Sequence, residues 1–248
     1  MKNVFCATAL LLGLSVMFIS CEKSGTENGT TDNGGSKSFV AVDLGLSVKW
    51  ASCNLGASKP EEYGDYYAWG ETSAKREFTD ENYKYYTGVY VDCPDLTGWS
   101  TEIYSKYNIY PDSISPDNLT QLEKDDDAAI KKLGGKWRTP TEEEWKELKR
   151  NCTWTREFRN GILGVEVKSG KNGNSIFLPA SGLKDEGVAG RYMSSSLFIS
   201  GQTHTYPHMN RNSYCVSRFI DVEGSNAYVS ANTTLRHSGY SIRPVQDK

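Results

Sequence analysis

The segment GGKWRTPTEEEWKELKR, residues 134–150, constrains the chain more than any other. Thr141 followed three residues later by Glu144 is a capping box, in which each side chain satisfies a backbone N–H at a helix start. Trp145, Leu148 and Cys152 recur at i, i+3 and i+7, one apolar stripe to be buried. Lys146, Lys149 and Arg150 occupy the later turns, where positive charge meets the negative end of the helix dipole. Glu142, Glu143 and Glu144 stand side by side and resemble a carboxylate cluster built for chemistry. Their place in a first turn explains them without chemistry, because free N–H groups there favour negative charge. A second, shorter helix is expected over 124–135, KDDDAAIKKLGG, with acids leading, lysines last and Gly134 as the stop.

The remaining signals are those of strands and turns. Val40, Val42 and Leu44 alternate, Gly45 breaks the run, and Val48 and Trp50 resume it, which predicts strand, tight turn and strand. GVEVKSGKNGNSIFLPASG predicts a hairpin, with Val165 and Val167 on one arm, Asn172-Gly173 as the turn and Ile176 to Leu178 on the other. Residues 63–120 read as a long irregular region holding ten of the fifteen tyrosines. The C-terminal third reads as short strands among Ser-, Asn- and Tyr-rich loops, ending in GYSIRPV.

The first twenty residues differ in kind. An uncharged apolar run from Val4 to Ile19 follows one early lysine; it is short for a bilayer span and suits a signal-peptide core. Phe18-Ile19-Ser20-Cys21 resembles the lipobox of bacterial lipoproteins, which implies cleavage before Cys21 and a lipid on its thiol. The expected organisation is a signal peptide over 1–20, a flexible Gly/Ser/Thr/Asn tether over 21–38 and one folded domain over 39–248. Of 248 residues 38% are hydrophobic, and the net charge of -3 comes with no basic segment, which argues against nucleic acid as a partner. In an exported chain Cys53, Cys93, Cys152 and Cys215 allow three disulfide pairings, and the sequence does not choose among these and free thiols.

VDLGLSVKWASCNLGASKPEEYGDYYAWGET, LEKDDDAA, GGKWRTPTEEEWKEL, NGNSIFLPASG, SSSL and GYSIRPV, in that order from about Val42 to Val245, resemble the Fibrobacter succinogenes major paralogous domain. Met193 stands before SSSL where that family usually carries an aromatic residue. The resemblance implies an α+β, C-type-lectin-like fold: small twisted antiparallel sheets flanked by two helices, paired N- and C-terminal strands, and long loops forming a recognition face. That fold is related to the formylglycine-generating enzyme, whose RLPTEAEWE helix start is similar to RTPTEEEW here, and to the variable proteins of diversity-generating retroelements. Most members of the family are exported or surface lipoproteins without known activity.

Several chemistries find little support in the residues. The formylglycine-generating enzyme holds copper with two nearby cysteines in its C-terminal part, whereas only Cys215 lies there in this chain, and one thiolate does not make a Cu(I) site. The EPN, QPD and WND signatures of calcium-dependent lectins are absent; Asp125, Asp126 and Asp127, or Glu61, Glu62 and Asp65, are the oxygen-ligand candidates, and the first trio is more simply a helix start. His204 and His208 in HTYPH have zinc spacing only on a helix, which Pro207 opposes. Neither GxSxG, a Walker loop nor a Rossmann glycine pattern occurs. No catalytic residue, metal or cofactor is expected. The candidate ligand-binding residues are Tyr206, His208, Asn210, Arg211, Asn212 and Tyr214, because tyrosine with small polar residues gives contact area at low entropy cost. The expectation is therefore a non-enzymatic outer-membrane lipoprotein, anchored through Cys21, that recognises a glycan or protein ligand. The alternative is a structural or fimbria-associated envelope subunit, and an enzyme of the formylglycine-generating type ranks third.

Overall fold

The computed structural model describes residues 39–92, 100–109, 116–183, 186–198, 214–221 and 228–248. All fall within one compact unit, Ser36–Lys248. The expected signal peptide over 1–20 and tether over 21–38, Cys21 included, lie outside the described residues.

The first hairpin forms as expected. Strand β1 (Ala41–Asp43) pairs antiparallel with β2 (Val48–Ala51), with Val42 opposite Trp50. Gly45 turns the chain at φ 71°, a conformation that a side chain disfavours, and its N–H donates to Asp43 Oδ1 at 2.8 Å. The last strand, β14 (Val245–Asp247), runs antiparallel to β2 on one side and to a two-residue strand, β6 (Trp137–Arg138), on the other. Trp50 thus faces Val245 across the ladder, so the last strand pairs with the second strand of the N-terminal hairpin and not with the first.

Between them, among the described residues, lie two α-helices and three further sheets. A 3-10 turn, Lys124–Asp126, leads into helix α1 (Ala128–Leu133), capped by Asp127, whose Oδ1 accepts from the N–H of Ala129 at 2.8 Å and of Ile130 at 3.3 Å. Helix α2 (Glu142–Asn151) carries the expected capping box: Glu144 N–H donates to Thr141 Oγ1 at 3.2 Å and Thr141 N–H to Glu144 Oε2 at 2.8 Å. Cys152 is not its last turn; the chain has already become extended there and begins β7 (Cys152–Arg159). β7 pairs with β8 (Ile162–Ser169), which pairs with β9 (Ser175–Pro179), Val165 facing Leu178 and Val167 facing Ile176. The Asn172-Gly173 hairpin is the expected one. The β7–β8 hairpin, turning on Asn160-Gly161 at φ 51° and 83°, carries the same Asn-Gly signal and was not anticipated.

Two expectations are corrected. The region 63–120 is not uniformly irregular: it contains β3 (Tyr66–Tyr67) and a hairpin of β4 (Tyr86–Asp92) with β5 (Ser100–Tyr104). The C-terminal third is not built of short strands alone, since β10 (Ala189–Leu197), β11 (Tyr214–Asp221) and β12 (Tyr228–Leu235) are eight or nine residues long. Serine, asparagine and threonine inside these strands mask them in sequence, because cross-strand pairing overrides weak local preference. With β13 (Tyr240–Ser241) and β3 they form a five-stranded sheet in the order β12-β11-β10-β13-β3. The fold is thus mixed α+β, made of small, mostly antiparallel sheets with two α-helices among the described residues.

Two cores hold it together. The first joins Leu44, Val48 and Trp50 to Trp145 and Leu148 of α2, Val165 and Val167 of β8, Ile176 and Leu178 of β9, and Val245. The second gathers Tyr67, Trp69, Tyr83, Tyr85, Tyr104 and Tyr107 around Ala128, Ala129, Met193 and Ile242. Strand β10 serves both. Its ladder with β11 shifts register between Met193 and Leu197, which frees backbone carbonyls that must find other donors. The Trp145 indole donates to the Met193 carbonyl at 3.2 Å and the Trp69 indole to that of Ser194 at 3.0 Å. Met193, in the place of an aromatic, is itself buried in the second core.

Candidate functional site

The parallel pairing of β13 with β10, Ser241 opposite Tyr192, sets Tyr240 and Arg191 beside one another. The turn from β12 to β13 brings His237, Ser238 and Gly239 to the same place, and Phe78 and Leu183 complete the walls of a pocket of about 460 Å³. Small-ligand pockets commonly span about 300–1,000 Å³ and combine apolar walls with a few polar groups.

Local devices fix each wall. Gly239 is where the Phe78 ring is seated: a Cβ there would lie 2.4 Å from its Cε2. Lys75 Nζ lies 5.6 Å from the Phe78 ring centre, and is itself held by Glu71 at 2.8 Å and by the Asn82 carbonyl at 2.8 Å. Gly182 leaves room for the Arg191 stem, whose Cγ and Cβ would sit 3.3 and 3.4 Å from an added Cβ. His237 Nδ1 lies 2.6 Å from Asp80 Oδ1. The Tyr240 hydroxyl is in short contact with Thr234 Oγ1. The site therefore offers a guanidinium, an imidazole and two aromatic rings, and among the described residues that line it none is acidic.

The residues singled out from sequence fall elsewhere or outside the description. Tyr206, His208, Asn210, Arg211 and Asn212 lie outside the described residues, as does His204. Tyr214 opens β11 opposite Leu235, the last residue of β12, two residues before His237. Phe78, Arg191, His237 and Tyr240 were missed; the one available signal was a histidine in the Arg-His-Ser-Gly turn before GYSIRPV.

The acidic candidates disperse. Glu142 and Glu143 pair with Lys146 at 3.0 and 2.7 Å, while Glu144 takes Arg138 through both oxygens at 2.5 and 2.9 Å. Asp125 pairs with Lys131, Asp127 caps α1 and accepts from Thr139, and Asp126 is buried between Lys84 and Lys106, each 2.6 Å away. Burial pushes the Asp126 carboxyl up, but hydrogen bonds from Lys106, Lys84 and Tyr107 outweigh it and hold it well below the usual carboxylate range. Glu61 accepts from Asn160, Glu62 from Ser58 and Asp65 from the Tyr67 hydroxyl. Among the described residues no group of three or more His, Cys, Asp or Glu side chains is arranged to hold a metal ion.

Cys53 is a buried free thiol and Cys152 a partly buried one, so neither of these two forms a disulfide. Burial, with the Glu147 carboxylate adding to it, pushes the Cys152 thiol up to about 11. Cys93 lies outside the described residues, and Cys215 sits in β11 opposite Thr234. No family model, curated protein or solved structure matches this chain.

Proposed function

We propose that this chain is a cell-envelope lipoprotein, lipidated at Cys21, whose domain is a non-catalytic recognition module of the major-paralogous, C-type-lectin-like type. Its ligand is a glycan or a protein, and it is taken at the face where the pocket opens. One observation carries the reading: a pocket of ligand size whose walls are aromatic rings and whose polar groups are Arg191, His237 and Ser238. The last strand joined to the N-terminal hairpin, the two α-helices and the small antiparallel sheets among the described residues are compatible with the lectin-like build. The apolar run ending in Phe18-Ile19-Ser20-Cys21 supports the anchor.

Mass spectrometry of the mature N-terminus tests the anchor: a diacyl or triacyl mass on Cys21 is expected, and an unmodified N-terminus beyond it ends the lipoprotein reading. A glycan array probed with the full chain, alongside co-purification from intact envelopes, tests recognition. Discrete glycan hits or a displaceable protein ligand support it. A stoichiometric protein partner that stays bound, with no glycan hit, moves the chain to the structural subunits of the envelope.

A further inference from the structure

We propose that β7 is a self-pairing edge, through which two copies of this chain join antiparallel across a two-fold axis at Thr155. The inference goes beyond the recognition reading and does not depend on it.

β7 is the outer strand of its sheet, with no neighbouring strand on its far side among the described residues. An open edge presents a row of backbone N–H and C=O groups ready to pair, and proteins usually blunt it with shortness, a bulge or a proline. Among the other edges, β1, β3 and β6 are two or three residues long, and β9 ends on Pro179. β7 has none of these devices: it runs for eight residues without proline, in unbroken register from Cys152 opposite Ser169 to Arg159 opposite Ile162. Thr153, Thr155, Arg156 and Phe158 are exposed, and Phe158, at 61%, is more so than any other large apolar residue described.

The hydrogen bonds of β8 tell which groups of β7 face outward. Leu163 and Ser169 bond to Ala180 and Asn174 on the β9 side, whereas Gly170 bonds to Asn151 on the β7 side. Residues along an antiparallel ladder alternate in this way. Gly164, Glu166 and Lys168 therefore bond to Glu157, Thr155 and Thr153, their partners in β7. The N–H and C=O groups of Trp154, Arg156 and Phe158 are left pointing away from the sheet.

Symmetry and charge then choose the register. A two-fold axis through an antiparallel pair sets one residue opposite its own copy. An axis at Arg156 or Glu157 opposes like charges, which is unfavourable. An axis nearer either end leaves fewer strand residues to pair. An axis at Thr155 sets Trp154 opposite Arg156, Thr153 opposite Glu157 and Cys152 opposite Phe158. The outward groups of Trp154 and Arg156 then meet as hydrogen-bonded pairs, and the two Thr155 side chains form the closer, non-bonded pair. The Arg156 guanidinium, 5.2 Å from its own Phe158 ring centre, gains the Trp154 ring of the other copy. Past each end of the ladder, the hairpin tip of one copy approaches the α2 terminus of the other. Asn160 holds the Glu61 carboxylate at 2.5 Å at that tip, and Arg150 is exposed at that terminus, so opposite charges come together. Two three-stranded sheets become one of six strands.

Sedimentation velocity of the full chain over a dilution series tests this, with hydrogen exchange read at the Arg156 and Phe158 amides. A concentration-dependent dimer is expected, in which those amides become protected. Thr155→Lys and Thr155→Glu, changes at an exposed side chain, should each raise the dimer dissociation constant ten times or more, because each sets like charges face to face at the axis. Mixed in equal amounts the two variants should pair again, since lysine then meets glutamate. Arg156→Pro should abolish the dimer by removing an outward N–H, while the ladder to β8, which does not use that N–H, remains. Circular dichroism reports folding, and if Arg156→Pro does not fold the Thr155 variants decide. All variants carry the same apolar run from Val4 to Ile19, so a difference among them belongs to β7. A chain that stays monomeric at every concentration overturns the proposal, as does a dimer indifferent to both Thr155 variants. Failure of the mixed variants to pair overturns the axis at Thr155. Edge amides protected only when envelope extract is added point to a foreign strand and overturn self-pairing. None of these outcomes touches the recognition reading, which stands or falls on its own ligand screen.

Discussion

The two cores of this domain are built on different physics. The first buries Leu44, Val48, Leu148, Val165, Val167 and Leu178 with Trp50 and Trp145, and the one ion buried beside it that the hydrogen bonds show, Arg243, donates to the neutral Asn54 Oδ1 and to the carbonyls of Ala51 and Phe177. The second buries six tyrosines beside Trp69 and admits ions: Asp126 is 3% exposed, and Arg236, fully buried, has its guanidinium 5.3 Å from the Trp69 ring centre and 4.9 Å from that of Tyr104. Burying a phenol is acceptable only if its hydroxyl finds a partner. Tyr83 donates to the Trp69 carbonyl at 2.8 Å, and Tyr107 donates to Asp126 at 2.6 Å while accepting from the Glu123 N–H at 2.9 Å. Tyr107 even holds a left-handed backbone, φ 63°, a conformation that persists only where the surroundings fix it. The first core is therefore maintained by removed apolar area, and the second by a network in which rings, hydroxyls and charges depend on one another.

The largest expected effect is in the apolar core. Trp145 packs edge-on against Trp50 at 4.7 Å and tilted against Tyr192 at 5.8 Å, and its indole also supplies a donor where the β10 ladder is interrupted. Trp145→Ala should cost about 4 kcal/mol in urea unfolding, since the cavity and the unsatisfied carbonyl add to the lost transfer term. A cost below about 1 kcal/mol would mean that this core closes without its central ring, contrary to large-to-small behaviour.

In the second core the informative substitution is Asp126→Asn, which keeps the shape and removes the charge. Two ammonium groups and a phenol lose their anion, and the expected cost is about 3 kcal/mol, at the lower end for broken buried pairs because Lys84, half exposed, can turn to water. The two cores should then separate by pH. The folded carboxyl titrates below its ordinary value of 3.8, so its contribution is complete above that value and is lost as the pH falls toward the folded one. The stability gap between wild type and Asp126→Asn should narrow as pH drops from 5 to 2 in steps of about one unit, whereas the Trp145→Ala gap stays flat. Parallel narrowing of both gaps would show acid acting on the whole domain rather than on this network.

The same contrast explains what was legible in the sequence. The apolar core writes itself as alternation and helical spacing: Val165 and Val167 against Ile176 and Leu178, and Trp145 with Leu148, all stand where pattern puts them. Cys152 shows the limit, because spacing cannot tell a helix's last turn from the strand that follows, and the thiol packs on the same core from β7. The aromatic core writes nothing periodic. Tyr83, Tyr85, Tyr104 and Tyr107 stand in a stretch that reads as irregular, yet each is at most 4% exposed, and the hydroxyls of Tyr83, Tyr85 and Tyr107 find partners distant in sequence at Trp69, Gly70 and Asp126. The pocket was illegible for a related reason: Phe78, Leu183, Arg191 and His237 come from four separate segments that only sheet order brings together.

The smallest effect belongs to the feature most visible in sequence, the cap of α2. Thr141 Oγ1 accepts one N–H, from Glu144, and little else is asked of it. Glu144 is the busier partner, accepting from the Thr141 N–H and from both Nη atoms of Arg138, which also reaches Asp247 of β14 at 2.7 Å. Thr141→Ala should therefore cost about 1 kcal/mol in chemical denaturation, the usual value of an N-cap, and leave the Arg138 contacts in place. Glu144→Ala should cost more, because it also takes from Arg138 the carboxylate that holds both its Nη atoms and leaves Asp247 and a long bond to the Thr139 carbonyl at the seam between helix and terminal strand. Equal costs would mean that the Arg138 pairs, 26% exposed on the arginine side, contribute nothing beyond the cap, the common fate of ion pairs in contact with water. A larger loss for Glu144→Ala would show that this first-turn carboxylate serves as the joint between helix α2 and strand β14.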